Sequence, residues 1–251
     1  MKRFLLFVFP IIVFVVLWEV ISRSGFVNLA LFPPPSDVAV AFWGMAKAGI
    51  LLSDLRDSLW RLFVGLFLGS AIAVILGLLT GRLKIFSALF SPIIQILRPL
   101  PPVAIIPLVI VWFGIDDGAK IFSIAFAVFF PVWLNTHIGV MQIPQTFLWS
   151  AKLLTNSSLK IFSEIIFPAA LPFIIAGIRM GIALSFIMVF VSELSGASSG
   201  LGYRISVTQM SYRIDEMIVA LIILGALGAI TDQVFIFCTG KFFPWVKFSS
   251  K

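Results

Sequence analysis

The segment Met141–Pro172 reads MQIPQTFLWSAKLLTNSSLKIFSEIIFPAALP and interrupts a chain that otherwise consists mostly of apolar runs. Residues Thr146–Leu154 can form a short helix, which the turn formers Thr155–Ser158 end. A second short helix is predicted over Leu159–Phe167, and it stops at Pro168. The segment is too polar to cross a bilayer and too apolar to be a solvated linker. We therefore predict a helix–turn–helix on the membrane surface that docks a soluble partner.

The composition indicates an integral membrane protein. Of the 251 residues, 61% are hydrophobic and 12% are charged, whereas soluble domains carry about a quarter of charged residues. We attribute the net charge of +7 to Lys and Arg in the loops of a membrane protein, and not to a nucleic-acid-binding surface. The single Cys238 and the single His137 exclude an internal disulfide and a His-rich metal site made by this chain alone. No G-x-x-x-x-G-K-[ST] loop is present, so any ATP is bound by another chain.

Apolar runs of about 20 residues match a hydrocarbon core about 30 Å thick and predict six transmembrane helices. The predicted fold class is all-α, with one membrane domain over residues 1–251 and the surface loop 141–172 between helices four and five. Gly65 and Gly69 are spaced as a small-xxx-small pair that allows close helix packing. The predicted spans are residues 4–21, 62–81, 93–113, 120–140, 173–194 and 216–240.

Two proline-rich segments interrupt regular structure. Within the third predicted span, Arg98-Pro99-Leu100-Pro101-Pro102 cannot continue a helix. Broken backbone in a membrane is tolerated only against protein or water, so we expect this segment to face the protein interior or a cavity. Arg98 is then either an ion-pair partner or part of a conduction path. Leu31–Ser36 is interpreted as a stiff connector, with a recognition motif for another protein as the alternative.

The distribution of Lys and Arg predicts the orientation. With the N-terminus in the cytoplasm and six crossings, the inner segments carry ten basic residues and the outer segments seven. Both termini, including the basic tail Lys241–Lys251, and the loop 141–172 are therefore predicted to face the cytoplasm.

The loop also carries a degenerate motif. Permease subunits of ABC importers have a cytoplasmic loop with the pattern Glu-Ala-Ala, three residues, Gly, nine residues, Ile, one residue, Leu-Pro. In this chain the same spacing falls on Trp149-Ser150-Ala151, Thr155, Ile165 and Phe167-Pro168. Ala151, the Ile and the Pro match, whereas Trp, Ser, Thr and Phe replace the Glu, the first Ala, the Gly and the Leu.

A wider resemblance extends over nearly the whole chain, from about Leu31 to about Asp232. The chain is similar to the permeases of the nitrate, sulfonate, taurine and bicarbonate ABC importer family, and permeases for thiamine-precursor pyrimidines and riboflavin look similar. The resemblance therefore does not identify one substrate. Its blocks include Ser91–Pro102, Phe130–Thr136, Phe167–Pro172, Ala176–Arg179, Ser192–Leu194 and Gly200–Tyr203.

The resemblance implies a type I importer permease in the bacterial inner membrane, with a coupling helix in the loop and no ATPase site of its own. It implies a second permease copy, expected as a homodimer, two ABC ATPase subunits that hold ATP and Mg²⁺, and a periplasmic or lipid-anchored binding protein. The implied mechanism is alternating access for a small solute, expected to be an anion. No cofactor in this chain and no nucleic-acid partner are expected.

The first short helix of the loop offers an apolar surface that can fill a groove on an ATPase, as in helix-in-groove recognition. Trp149 either is a buried anchor there or lies in the membrane interface. The predicted coupling residues are Phe147, Leu148, Trp149, Ser150, Ala151, Lys152, Leu154, Thr155 and Pro168.

Ionisable residues inside the spans are the candidates for a translocation path, because each costs about 2.5–3.5 kcal/mol at mid-bilayer. For Arg98 and Glu193 a path or gate role competes with an internal ion pair or snorkelling. Asp232 is interpreted as a structural hydrogen-bonding residue and His137 as an interfacial one. The candidate path residues are Arg98, Pro99, Pro101, Pro102, Asn135, Arg179 and Glu193.

Three other functions were weighed. A gradient-driven secondary transporter would need paired carboxylates or an inverted repeat, and no clear repeat is found. An intramembrane enzyme would need a nucleophile with a base, or metal ligands, whereas His137 and Cys238 lie in different predicted helices. An uncoupled permease-like subunit is the third alternative, because the loop motif is degenerate.

Overall fold

The computed structural model describes residues 2–245, with side chains from residue 9 onward, and this part of the chain contains helices and no strands. A 3₁₀ turn, Pro102–Ile105, precedes α5, and a π-helical segment, Phe162–Ile166, joins α8 to α9. The predicted tail beyond residue 245 lies outside the described residues. The helices are α1 (Lys2–Arg23), α2 (Pro35–Lys47), α3 (Ile50–Arg82), α4 (Lys84–Leu97), α5 (Ile106–Phe113), α6 (Asp117–Met141), α7 (Gln145–Leu154), α8 (Ser158–Ile161), α9 (Phe167–Leu194), α10 (Leu201–Met210) and α11 (Ile214–Phe242).

Four helices in the described part of the chain are long and apolar enough to cross a membrane: α3, α6, α11 and the unit Ser158–Leu194, which contains α8 and α9. A fifth span is obtained if α4 and Pro102–Phe113 are counted as one bent unit. The predicted spans 120–140 and 216–240 agree closely with α6 and α11. The first predicted span, residues 4–21, lies within α1, which is not among these helices. In the described part of the chain, this criterion therefore supports four or five of the six predicted spans.

Helices α3, α6 and α9 form the centre of the bundle, and glycines let them approach closely. A Cβ atom on Gly69 would lie 2.5 Å from the backbone oxygen of Ala125, and one on Gly65 would lie 2.7 Å from the side chain of Ile124. Gly181 of α9 also faces α6, and a Cβ atom on it would lie 3.0 Å from the side chain of Val128. The core around these contacts is apolar and includes Leu62, Ala73, Ile124, Val128, Val132, Trp133, Ile182 and Val189.

The second span starts earlier than predicted. The sequence places its start at Leu62, whereas α3 begins at Ile50 and continues for 33 residues. The prediction stopped at Leu62 because Asp54 and Arg61 precede it. Both side chains are buried against partners from other helices, so charge at the start of the helix does not end it.

The third predicted span is broken at the prolines. Helix α4 ends at Leu97, and the segment that resumes at Pro102 is bent from it by 89°. The break in the helix was predicted from the sequence. The segment was predicted to face the protein interior or a cavity. Arg98, Pro99 and Pro101 are exposed and so do not lie in the interior of this chain, while the cavity alternative stays a prediction.

The second half of the surface loop differs from the prediction, which was a short helix ending at Pro168 and a new span from residue 173. The helix instead continues from Ser158 to Leu194. Proline lacks the N–H that an α-helix needs, and the π-helical segment before Pro168 absorbs the disturbance, with the Phe167 N–H bonded to the Phe162 carbonyl. Residues outside regular helix in the predicted loop 141–172 are therefore few.

Helices α1 and α2 pack at the periphery. The indole N–H of Trp18 donates to the carbonyl of Pro33 at 3.1 Å, and Pro33 and Pro34 are buried. The proline run is thus held by its own chain, which agrees with a stiff connector. Between α9 and α11 lies the short helix α10, which the sequence analysis did not predict; it starts after Gly200, whose φ is +115°.

Candidate functional site

The bundle has two chemically different ends. At the α7 end, α3 and α6 finish, α7 and α8 follow, and α9 begins. At the α10 end, α3 and α6 begin, α9 finishes and α10 follows. Each end holds a group of residues that the sequence singled out in part.

At the α7 end, helix α7 begins after Pro144, which is extended, and ends before Thr155, which is also extended. Leu148 and Ala151 point into the bundle, with 5% and 2% of their surface exposed. They pack in a cluster with Leu78, Val140, Ile143, Ile161, Ile166, Ala170 and Ile174. This packing fixes α7 on the end of the bundle.

The rest of α7 carries large exposed apolar side chains. They are exposed by 62% for Phe147, 63% for Trp149, 88% for Leu153 and 87% for Leu154. We call these four residues the α7 surface. Lys152 and Ser150 are exposed beside it, Thr155 is half-buried, and Pro168 is half-buried in the first turn of α9.

The prediction for this surface needs two corrections. Leu148 and Ala151 were expected to contact a partner, but both are in the core of this chain. Leu153 was not included, although it is the most exposed residue of the α7 surface, and Leu159 after the turn is 77% exposed. The spacing Leu148–Ala151 is the i, i+3 signal of an inward face, and it was available in the sequence.

At the α10 end, charged side chains from four helices form a group that is largely buried, although the Asp117 side chain is 51% exposed. Arg61 Nη1 donates to Glu193 Oε1 at 2.8 Å, and Arg61 Nε donates to Asp117 Oδ1 at 2.8 Å. The side chains of Arg61 and Glu193 are 4% and 0% exposed. Arg204 Nε donates to Asp54 Oδ2 at 2.7 Å. We call the following residues the α10 ion cluster: Asp54, Ser58, Arg61, Asp117, Glu193 and Arg204.

The cluster also caps the first turn of α10. The N–H of Gly202 donates to Glu193 Oε2 at 2.9 Å, and the N–H of Gly200 donates to Asp54 Oδ1 at 3.0 Å. The N–H of Leu201 donates to Ser58 Oγ at 2.8 Å. Carboxylates at a helix N-terminus satisfy free N–H groups and match the helix dipole, so the cluster holds α10 on the bundle.

Of the two alternatives for Glu193, the structure contains the internal ion pair, and the side chain is too deeply buried to line an open path in this conformation. The sequence analysis missed Asp54, Ser58, Arg61 and Asp117, because all were assigned to segments outside the membrane. Asp54, Ser58 and Arg61 follow one another at i, i+4 and i+7, which is the spacing of one helix face.

A second ion pair joins the middle of α9 to α11. Arg179 Nε donates to Asp232 Oδ1 at 2.7 Å, and Arg179 Nη2 donates to Asp232 Oδ2 at 2.8 Å. The side chains are 41% and 30% exposed. Asp232 therefore does form structural hydrogen bonds, and the sequence analysis did not identify Arg179 as its partner.

The remaining candidate path residues are more scattered. Arg98, Pro99 and Pro101 are exposed at the break after α4, and Pro102 is half-buried. Asn135 Nδ2 donates to the carbonyl of Pro131 at 2.8 Å in its own helix.

His137 belongs to a small polar group near the α7 end. Its Nδ1 lies 3.0 Å from Thr80 Oγ1, and its ring stacks on Trp133 with a centroid distance of 5.1 Å. The indole N–H of Trp133 also donates to Thr80 Oγ1, at 3.1 Å. His137 thus contacts side chains of its own chain, a role that the interfacial interpretation did not include.

The sequence profile of a family described as "binding-protein-dependent transport system inner membrane component" matches residues 65–238. The chain belongs to this family. The match covers α6, α7, α9 and α10 in full, and it therefore includes the α7 surface and three of the six residues of the α10 ion cluster, Asp117, Glu193 and Arg204.

Relatives named as transport permeases are similar over most of the chain. The putative aliphatic sulfonates transport permease protein SsuC of Bacillus subtilis is 32% identical, over 93% of this chain and 84% of that protein. The nitrate import permease protein NrtB of Synechocystis is 33% identical over 74% and 68%, and the bicarbonate transport system permease protein CmpB of the same organism is 31% identical over 90% and 84%.

The fold has counterparts among solved structures. A chain of the inward-facing MetNI methionine ABC transporter superposes with a TM-score of 0.63 over 81% of this chain and 99% of that chain, at 18% identity. An amino acid ABC transporter determined with histidines gives a TM-score of 0.61 over 80% and 96%, also at 18% identity. At this identity the likeness concerns the fold alone.

Proposed function

We propose that this protein is the permease subunit of an ATP-driven importer and that the α7 surface is where an ATPase subunit docks. The observation that supports this proposal is the difference between the two sides of α7. The inner side is packed into the bundle, while the other side leaves four large apolar residues exposed: Phe147, Trp149, Leu153 and Leu154. Exposed apolar groups of this size on a rigid helix are typical of a surface that a partner covers.

The packing of α7 supports a mechanical role for this contact. Because Leu148 and Ala151 are fixed against Val140 and Ile166, a displacement of α7 is passed to the ends of α6 and α9. ATP binding on two partner subunits would move two docked α7 helices together, and hydrolysis would reset them. Alternating access of the cavity between two permease copies follows from this motion.

The substrate class comes from the relatives. Proteins named for sulfonate, nitrate and bicarbonate transport share one chemical feature, a small oxyanion, and this chain is similar to each of them. We therefore assign a small oxyanion, delivered by a binding protein, as the solute. Exposed Arg98 at the break after α4 is a candidate contact, with Pro99, Pro101, Pro102 and Asn135 along the same path.

The proposed complex places different partners at the two ends of the bundle. The protein would work as a dimer of permeases in the inner membrane, with two ATPases on the α7 end and the binding protein on the α10 end. Both termini would then lie in the cytoplasm. ATP and Mg²⁺ would be held by the partner subunits, and this chain would bind no cofactor.

The test is ATP hydrolysis by the purified permease, its genomic ATPase neighbour and its binding protein in proteoliposomes. Trp149→Ala is compared with Trp43→Ala, because both tryptophans are 63% exposed and only Trp149 belongs to the α7 surface. We expect stimulation by loaded binding protein to fall at least about tenfold for Trp149→Ala, as for an interface anchor, and to persist for Trp43→Ala.

Deletion of α7 is a poorer test, because it would also remove Leu148 and Ala151 from the core. If Trp149→Ala keeps full stimulation and full ATPase binding, the docking assignment is wrong. If no ATPase subunit co-purifies and transport follows an ion gradient, the importer assignment is wrong as well.

A further inference from the structure

The ion pair between Arg179 and Asp232 has unused hydrogen-bonding capacity. The Arg179 guanidinium donates through Nε and Nη2 to the carboxylate, and its Nη1 has no hydrogen-bond partner among the described side chains, which begin at residue 9, or the described backbone. A guanidinium has five N–H donors, and its planar fork is suited to oxyanions. With 41% of the Arg179 side chain exposed, these donors are accessible from outside the chain.

The pair lies deep in the membrane-spanning part of the bundle. Arg179 follows the start of α9 at Phe167 by about 18 Å and precedes its end at Leu194 by about 22 Å, at 1.5 Å per residue. Asp232 is about 15 Å from the end of α11 at Phe242. Half-exposed charges at this depth are costly in lipid, so their exposed side faces water or protein.

A groove of about 480 Å³ lies between α9 and α11, and Asp232 is one of its lining residues. Arg179 does not line the groove itself; it precedes the lining residue Ala183 by one turn of α9 and is bonded to Asp232. Helix α11 leaves the groove open because only Val219, Ala220 and Thr239 of its residues are buried. The side of α9 in the groove is apolar. The lining residues include Ala183, Phe186, Ile187, Phe190, Gly225, Gly228 and Ala229.

We infer that the Arg179–Asp232 pair lines the water-filled translocation path and is its recognition element for a small oxyanion. With the path empty, Asp232 neutralises Arg179. An oxyanion entering the groove binds the free Nη1 and then competes with Asp232 for the fork, since a nitrate or sulfonate offers the same arrangement of oxygens as a carboxylate. This inference rests on the proposed transport function.

Thiol labelling tests whether the groove contains water. The background is the full complex in membrane vesicles with Cys238→Ser, which removes the natural thiol. Ala229→Cys lies in the groove one turn before Asp232, and Val234→Cys is the matched control, since it is 54% exposed but lies 200° around α11 from Asp232. We expect a methanethiosulfonate reagent with a sulfonate group to label Ala229→Cys and to leave Val234→Cys unlabelled.

Charge variants test the recognition of anions. In the Ala229→Cys protein, Arg179→Gln removes the positive charge and Asp232→Asn removes the negative one. We expect the labelling rate with the sulfonate reagent to fall roughly fivefold for Arg179→Gln and to rise roughly fivefold for Asp232→Asn. A methanethiosulfonate reagent with a trimethylammonium group, which is cationic, should show the reverse order. A purely structural ion pair would give changes of the same sign for both variants. The double variant, which keeps two neutral partners, serves as the folding control.

Several results would overturn the inference. These are equal labelling of Ala229→Cys and Val234→Cys, and changes of equal sign in the two charge variants. Protection of Ala229→Cys by millimolar nitrate or ethanesulfonate would support it. Labelling requires neither ATPase nor binding-protein stimulation, so failure here is distinguishable from failure of the proposed function, which the Trp149→Ala assay detects.

Discussion

The α7 end and the α10 end of the bundle are formed by the same long helices but differ in the kind of side chain that each buries or exposes. At the α10 end, charged side chains are buried and paired, and three N–H groups of α10 are bound by Asp54, Ser58 and Glu193. At the α7 end, apolar side chains are left exposed, and Leu153 and Leu154 show close to nine-tenths of their surface.

The two ends differ in whether their functional groups already have partners within the chain. Every carboxylate of the α10 ion cluster has a cationic or N–H partner inside the chain, so this end is stable without any partner. The four side chains of the α7 surface remain exposed in this chain. The α10 end is therefore held by contacts within the chain, whereas the α7 end offers the surface to which the proposed ATPase subunit would dock.

The largest effect is expected from Glu193→Gln. The substitution leaves the half-exposed Asp117 as the only carboxylate bonded to the buried Arg61, beside the neutral oxygens of Ser199, and breaking a buried pair typically costs about 3–5 kcal/mol. Denaturant unfolding in mixed micelles should show this loss. Glu19→Gln is the control, because its partner Arg23 is exposed, and it should cause no measurable change. Equal effects of the two variants would contradict the distinction between the ends.

A smaller effect is expected from Leu148→Ala at the other end. Leu148 is 5% exposed in the cluster that holds α7, and such a truncation costs about 2–3 kcal/mol through lost burial and a cavity. The same unfolding assay measures it. Hydrogen exchange should in addition show faster exchange in α7 than in α10, and a loss spread evenly over both ends would argue that α7 is not a separate packing unit.

The smallest effect on stability is expected from Leu153→Ser, because Leu153 is 88% exposed. The free energy of unfolding should change by no more than about 0.5 kcal/mol. The dissociation constant of the ATPase subunit, measured by surface plasmon resonance on nanodisc-embedded permease, should nevertheless rise at least about fivefold. An unchanged constant would remove Leu153 from the docking surface.

The sequence was informative where the signals are local. Thr155 ends α7 as predicted, the pair Gly65 and Gly69 of α3 marks its contact with α6, and the prolines after Arg98 break the third span. Apolar length alone was enough for α6 and α11.

Most of the predictions that failed depend on contacts between residues far apart in the sequence. Glu193 and Arg61 are 132 residues apart, and Arg179 and Asp232 are 53 residues apart, so no local pattern pairs them. Without those partners, Asp54 and Arg61 were interpreted as loop residues and α3 was predicted too short. Pro168 was interpreted as a stop signal, because a π-helical turn that accommodates a proline has no simple sequence signature.

The uninterrupted helix from Ser158 to Leu194 makes the two ends parts of one lever. Its 37 residues span about 55 Å. Ser157 caps its first turn beside α7, and Glu193 is clamped one residue before its other end. When the α10 end of this helix stays fixed, a tilt of about 10° displaces Ser158 by about 10 Å. The displacement that a docked ATPase subunit could cause would thus depend on where the α10 ion cluster fixes the helix.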